Sequence, residues 1–242
     1  MAKTITAYGN AQISTAQSKF GGASGLFDGA GDYLTTPDSD DWDFPFSTNA
    51  TIDMWVRMNS LSTHQAFVNH YNIDVGWIFR FNYTQGLEFF TQDNGGTPSS
   101  ILSEGSVSGW SMETLYHIAF VQDSNNNWYL FKDGLQVATK TNTLAISQSS
   151  GVLSIGTGQS LGSEPLNGYM DELRISKGIA RWTSNFTPPT SAYTADSYTK
   201  LLLHMDGTNG STTFTDDDII PSGGGAYYYY QNLKRINSLL RR

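Results

Sequence analysis

The sequence predicts an all-β fold, a sandwich of two antiparallel sheets, on three observations. Short β-branched and aromatic runs recur along the chain with turn residues between them. The 242 residues include 24 Gly, and aromatics make up 13% against only 15% charged residues, a composition of many strands joined by turns. The strands follow one another directly instead of alternating with helical patterns, which argues for stacked sheets over a βαβ fold.

Taken in order, residues 4–7 have the β-branched content of an edge strand. The glycine-rich run 19–29 reads as a strand ending in a turn, where Gly25 marks a close backbone approach or a bulge. Residues 32–37 form a further strand stopped by Pro37, and W-D-F-P-F at 42–46 an aromatic loop. The clearest central strand is 50–59. Ile52, Met54, Val56 and Met58 line one face, Asp53, Trp55 and Arg57 the other, and apolar residues on both predict a strand covered on both sides.

An aromatic meander follows at 66–71, 75–83 and 86–92, then a strand at 115–122. Residues 128–132 and 135–140 make a hairpin, because Asp133-Gly134 supplies the positive φ of a two-residue turn. A short strand at 152–155 precedes the longest one, 167–177, which leaves its sheet through Ser176-Lys177-Gly178. Strict alternation places Tyr169, Asp171, Leu173 and Ile175 on one face and Met170, Glu172 and Arg174 on the other. Two adjacent carboxylates in an apolar strand are unusual, since ionised Asp and Glu are rarely buried unless paired or bound to a cation.

Beyond Phe186 the prolines Pro188 and Pro189 set an extended crossing segment, and 200–207 is a last strand before three consecutive Asp. The expected organisation is a sandwich at 1–218 completed by 199–217, a Gly-rich hinge at 219–226, and an arm at 227–242. In the arm, Leu233, Ile236 and Leu240 fall on one face of a short basic helix.

There is no cysteine, so disulfides and thiolate metal sites are excluded; this fits assembly in a reducing cytoplasm. The first residues lack the apolar core of a signal peptide, and no run has the length a membrane span needs. Net charge is −8; removing the arm's +4 leaves −12 for the rest, which argues against nucleic acid as a partner.

Five stretches carry a family resemblance: K-F-G-G-A-S-G-L-F-D-G-A-G-D-Y-L (19–34), T-I-D-M-W-V-R (51–57), L-Y-H-I-A-F-V-Q (115–122), W-Y-L-F-K-D-G-L-Q-V-A (128–138) and G-Y-M-D-E-L-R-I-S-K-G-I-A-R-W (168–182). In this order they resemble the laminin G-like, concanavalin A-like lectin/glucanase family over about residues 3–195. The resemblance implies a jelly-roll of two antiparallel sheets, and the texture is similar to repeats in structural proteins of tailed bacteriophages. In tandem copies of this family a segment like 201–216 precedes one like 4–10, whereas here it comes last. That order implies a circularly permuted sandwich in which 201–205 returns to the body, in this chain or a neighbouring one.

For chemistry, the family's calcium binding implies a structural Ca2+ at some of Asp28, Asp32, Asp171 and Asp206. The alternative makes Asp28 and Asp206 turn formers and pairs Asp171 or Glu172 with Arg57, Arg174 or backbone N–H groups. Carboxylates on opposite faces are not the facing pair of a glycosidase, and the E-x-D-x-x-E pattern of the glucanase members is absent, so no enzyme is expected. Lectin-like relatives imply a sugar-stacking platform at Trp42, Tyr71, Trp77 and Trp110.

The arm, with Tyr227, Tyr228, Tyr229, Tyr230, Leu233, Lys234, Arg235, Ile236, Leu240, Arg241 and Arg242, is expected to hold a partner. The leading expectation is a non-enzymatic virion protein made in the host cytoplasm, displayed as a capsid decoration or fibre, attached to other capsid or tail proteins and homo-oligomeric. The alternative is a glycan-binding module for a host surface. Neither nucleic acid nor membrane is an expected partner.

Overall fold

Strands that alternate apolar and polar residues bury one face by stacking sheets about 10 Å apart. The computed structural model, which describes residues 2–72, 75–93, 98–144 and 146–218, shows two such sheets. Among the described residues, one sheet has seven strands in the order β1 (Thr6–Tyr8), β4 (Tyr33–Thr36), β13 (Leu153–Ile155), β6 (Gln65–Asn72), β7 (Val75–Asn82), β8 (Gly86–Gln92), β9 (Pro98–Ser103). The other runs β12 (Leu135–Thr141), β11 (Asn127–Lys132), β10 (Leu115–Gln122), β5 (Ala50–Met58), β14 (Asn167–Lys177), β3 (Ser24–Asp28), β2 (Gln12–Ser14), with β15 (Thr199–Leu203) also on β14. All the pairings are antiparallel.

The core lies between the sheets and is largely aromatic. Phe89 of the seven-stranded sheet stacks on Phe120 of the eight-stranded one at 3.5 Å between ring centroids, and Trp128 meets both edge-on. Ile52, Met54, Val56 and Met58 of β5 all point into this layer, as alternation predicts. The expected Asp133-Gly134 turn joins β11 to β12 with φ of 51° and 77°. A one-turn 3-10 helix, Asp40–Trp42, capped by the Ser39 hydroxyl, leads into the expected aromatic loop at 42–46. It delivers Trp42 and Phe44 into the core.

The last strand returns in the same chain: Leu173, Arg174 and Ile175 of β14 face Leu203, Leu202 and Leu201 of β15. It shares that edge of β14 with β3, which pairs Asn167–Met170. Gly25 permits the close approach expected of it, because a Cβ there would lie 2.6 Å from the Met205 sulfur. The sandwich is therefore closed by a segment from beyond the prolines.

One expectation about β14 is corrected. Met170 faces the core, as do Leu173 and Ile175, a spacing of three and then two. The reason is a β-bulge between Asp171 and Arg174, where Asp171 faces Trp55, Arg174 faces Asp53, and Glu172 takes φ 55°. The extra residue shifts the parity of every side chain that follows. Asp171, Glu172 and Arg174 consequently lie on the same, outer side of the sheet.

That outer side is covered, as the apolar content of both faces of β5 predicts. Residues 179–198 cross it. Trp182 and Phe186 stack at 3.9 Å and pack over His117 and Phe131, and Tyr193 packs with Trp55 and Leu202. Beneath the crossing segment Asp53 accepts two hydrogen bonds from Arg174 at 3.0 and 2.8 Å. Burial would push the Asp53 carboxyl up, but Arg174 and His117 overcome it and hold it at about 2. The helix expected at the carboxyl end lies outside the described residues.

Candidate functional site

The acids among which a calcium ion was expected fall into two neighbourhoods, Asp28 with Asp32 and Asp171 with Asp206. Asp32 accepts from Asp28 N–H at 2.9 Å and from Asn10 N–H, and Asp28 accepts from Ala30 N–H at 2.7 Å, which makes both turn formers. Asp171 accepts from Lys19 and Phe20 N–H at 2.6 and 3.1 Å, while Asp206 lies against Gly21, where a Cβ would collide with its carboxylate. Among the described residues no three Asp, Glu or His side chains are grouped to hold a metal ion. Of the alternative, the turn former at Asp28 and the backbone partners of Asp171 match these contacts.

Glu172 completes the ties around the bulge. Its Oε2 accepts from Tyr193 N–H at 2.7 Å and its Oε1 pairs with His204 Nδ1 at 2.9 Å. Burial, reinforced by the charges of Glu172 and Asp206, pushes the Asp171 carboxyl up to about 7. Burial opposes a charged His204, yet the Glu172 carboxylate raises the ring above the usual imidazole range. Burial likewise pushes Asp216 up to about 6, against its hydrogen bonds from Leu202 and Lys3 N–H. These acids tie the amino-terminal, crossing and carboxyl-terminal segments together around β14 and β15.

The expected stacking platform is also corrected. Trp42 and Trp77 are fully inside the core, joined by a hydrogen bond from Trp77 Nε1 to the Trp42 carbonyl at 2.9 Å. Trp110 packs on Phe81 and Tyr116 and donates to Glu104 at 2.7 Å. Bulky filler between two sheets explains all three. Tyr71 differs: it is half-buried and lines a cleft of about 460 Å³ on the outer face of the seven-stranded sheet.

That cleft is built from two directions. Asn69, Tyr71 and Asn72 from β6 and Ser154 from β13 form its floor and end, because strands β6 and β13 are neighbours. Gln159, Ser160 and Leu161, from the loop between β13 and β14, form its rim. Asn69 Nδ2 donates to the Thr157 and Gly158 carbonyls at 2.5 and 3.2 Å, and Gln159 donates to Gln92 at 2.9 Å. Further along the same loop Glu164 meets Arg80 of β7 at 2.6 Å, and Arg80 also reaches Glu88 at 2.7 Å while its guanidinium lies over Phe90. A fixed rim over a floor of amides, hydroxyls and one aromatic ring can exchange hydrogen bonds with a polyhydroxylated ligand and pack against its apolar face.

Of the expected ligand residues only Tyr71 reaches this cleft. The rim was present in the sequence as the polar, glycine-rich stretch G-T-G-Q-S-L-G-S at 156–163. Tyr227–Arg242, the expected partner-binding arm, lies outside the described residues.

The profile of the concanavalin A-like lectin/glucanases superfamily, in its laminin G form, matches residues 28–181, and the chain belongs to that family. No curated protein sequence matches the chain. Among solved structures, domain 4 of AbnA, a GH43 extracellular arabinanase from Geobacillus stearothermophilus, in complex with arabinotriose, superposes with a TM-score of 0.56 at 17% identity, covering 74% of this chain and 83% of that one. A Bacteroides ovatus protein designated carbohydrate-binding gives 0.56 at 16% identity over 90% of this chain and 56% of its own. The botulinum neurotoxin serotype D binding domain gives 0.55 at 10% identity, over 76% and 44%. The chain thus spans about half the length of the latter two. At these identities the likeness is one of fold, a jelly-roll sandwich that other proteins use for binding.

Proposed function

We propose that the chain is a non-catalytic glycan-binding module whose saccharide site is the cleft around Tyr71. The observation that carries this reading is the cleft itself, with a half-buried aromatic ring, carboxamides and hydroxyls converging on one face of a sandwich. Fold neighbours that include an arabinanase domain in complex with arabinotriose support it, as does a protein designated carbohydrate-binding. The acids support a non-catalytic role. Asp171 and Glu172 are spent on tying loops, and between Glu88 and Glu164 sits the Arg80 guanidinium, where a glycosidase needs room for its substrate. A glycan array followed by titration of the best ligand tests the proposal. Tyr71→Ala should weaken binding about tenfold, the scale of one lost stacking contact. Array silence, or a variant that binds as the parent does, would remove the reading.

A virion role is a separate proposal that rests on the sequence of the arm, with its apolar stripe and four positive charges after a glycine-rich hinge. Such an arm suits attachment to an acidic capsid or tail protein and would display the module on a particle. Deleting residues 226–242 should abolish co-purification with particles while leaving sugar binding intact.

A further inference from the structure

The loop that forms the rim of the Tyr71 cleft has a second cleft on its other side, of about 500 Å³, between the β5–β6 loop and the start of β14. Ser62, Thr63, His64, Glu164 and Asn167 are among its lining residues. Three features set it apart from an ordinary surface hollow. Glu164 is pinned: Arg80 holds its Oε1 at 2.6 Å, and Ala66 N–H donates to its carbonyl at 2.9 Å. Its backbone stands at φ 44°, a left-handed conformation that a side chain-bearing residue adopts only under local constraint. Just beneath the wall of the cleft, Glu164 Oε2 and His64 Nδ1 are buried with no hydrogen-bond partner. Buried polar atoms are normally satisfied, so two orphans bordering one cleft call for groups that can enter it.

Beside them the His64 ring meets Tyr83 edge-on at 4.9 Å between centroids, and Tyr83 is 46% exposed. An exposed aromatic ring next to a carboxylate, an imidazole and two hydroxyl-bearing side chains matches a sugar ring, with an apolar face to stack and hydroxyls to pair. The Glu164 charge is already shared with Arg80, which favours a neutral hydroxyl donor over an ammonium group.

We propose that this cleft is a second saccharide subsite, with Tyr83 as its stacking ring and His64 and Glu164 as its hydrogen-bonding pair, so that each chain takes neutral glycan on both sides of the 157–165 loop. The proposal rests on the glycan-binding reading above but names different residues.

Calorimetric titration of the full chain with methyl glucoside, methyl galactoside, methyl mannoside and arabinotriose tests it, alongside Tyr83→Ala and His64→Ala. Two sites per chain are expected for at least one of these probes, with each variant weakening one of them about tenfold and Tyr71→Ala weakening the other. Tyr83 and His64 lie outside the core, so unchanged thermal melts should accompany the loss. One site per chain, lost in Tyr71→Ala and unaltered in Tyr83→Ala and His64→Ala, would overturn the second subsite and leave the first. Loss confined to Tyr83→Ala and His64→Ala would sustain the second and remove the first. No binding of any probe would overturn both.

Discussion

Replacing the leucines of β15 one at a time tests whether the carboxyl-terminal return belongs to the sandwich. Leu201 and Leu203 point between the sheets and are fully buried, while Leu202 points outward and is buried against Trp55 and Tyr193. A stub resting on a finished domain would bury one side of itself; this strand is buried on both. Truncating a buried Leu to Ala costs about 2–5 kcal/mol, from lost transfer energy and the cavity left behind. Taking about 3 kcal/mol, and about 2–4 °C per kcal/mol for a domain of this size, each variant should melt roughly 6–12 °C below the parent. Urea midpoints should fall by about 1 M if the slope is near 3 kcal/mol/M. The control is Leu135→Ala on β12, at a site 61% exposed, which should change stability by less than about 0.5 kcal/mol. If Leu201→Ala, Leu202→Ala and Leu203→Ala behaved like that control, the strand would not be part of the cooperative unit.

Further outcomes follow from the charges and turns. Asp53→Ala strands Arg174 in a buried site and should cost about 3–5 kcal/mol, whereas Asp53→Ala with Arg174→Met should recover part of that loss, measured by urea denaturation. Asp171, Asp216 and His204 all hold their protons more tightly folded than unfolded, so the stability they confer is present at low pH. It is lost as pH rises from the ordinary carboxylate value of 3.8 through about 6 for Asp216 and about 7 for Asp171, and through the raised value of His204. Melting temperature should therefore fall between pH 5 and pH 8, and Asp171→Asn should flatten that fall. Asp53 runs the other way: its contribution is present above the same 3.8 and lost as pH drops towards 2. Gly134→Ala forces a side chain into φ 77° and against the Phe186 carbonyl, and should cost at least about 1–2 kcal/mol by thermal melting.

The strands were legible in the sequence because their signals are local. The alternation of β5 and the Asp133-Gly134 turn each depend on neighbours within a few residues. The β14 bulge was not, since alternation assumes that every residue advances the pleat. Its trace was there in hindsight: Met170, Leu173 and Ile175 are apolar at a spacing that no unbroken strand can put on one face. The tryptophans show a different limit. An aromatic in a short polar stretch has the same sequence signature whether it caps a surface or plugs the space between sheets, and only the placement of Asp40–Trp42 against β7 decides it. The cleft was least legible of all, because its floor and its rim lie about 90 residues apart and meet only through the pairing of β6 with β13.

Amide chemical-shift mapping during titration with the best array ligand measures the central claim most directly. The account predicts saturable shifts concentrated at Asn69, Tyr71, Asn72, Ser154 and Gln159, with the outer face of the eight-stranded sheet silent beneath residues 179–198. Shifts centred on that covered face, or none at any concentration of ligand, would contradict it.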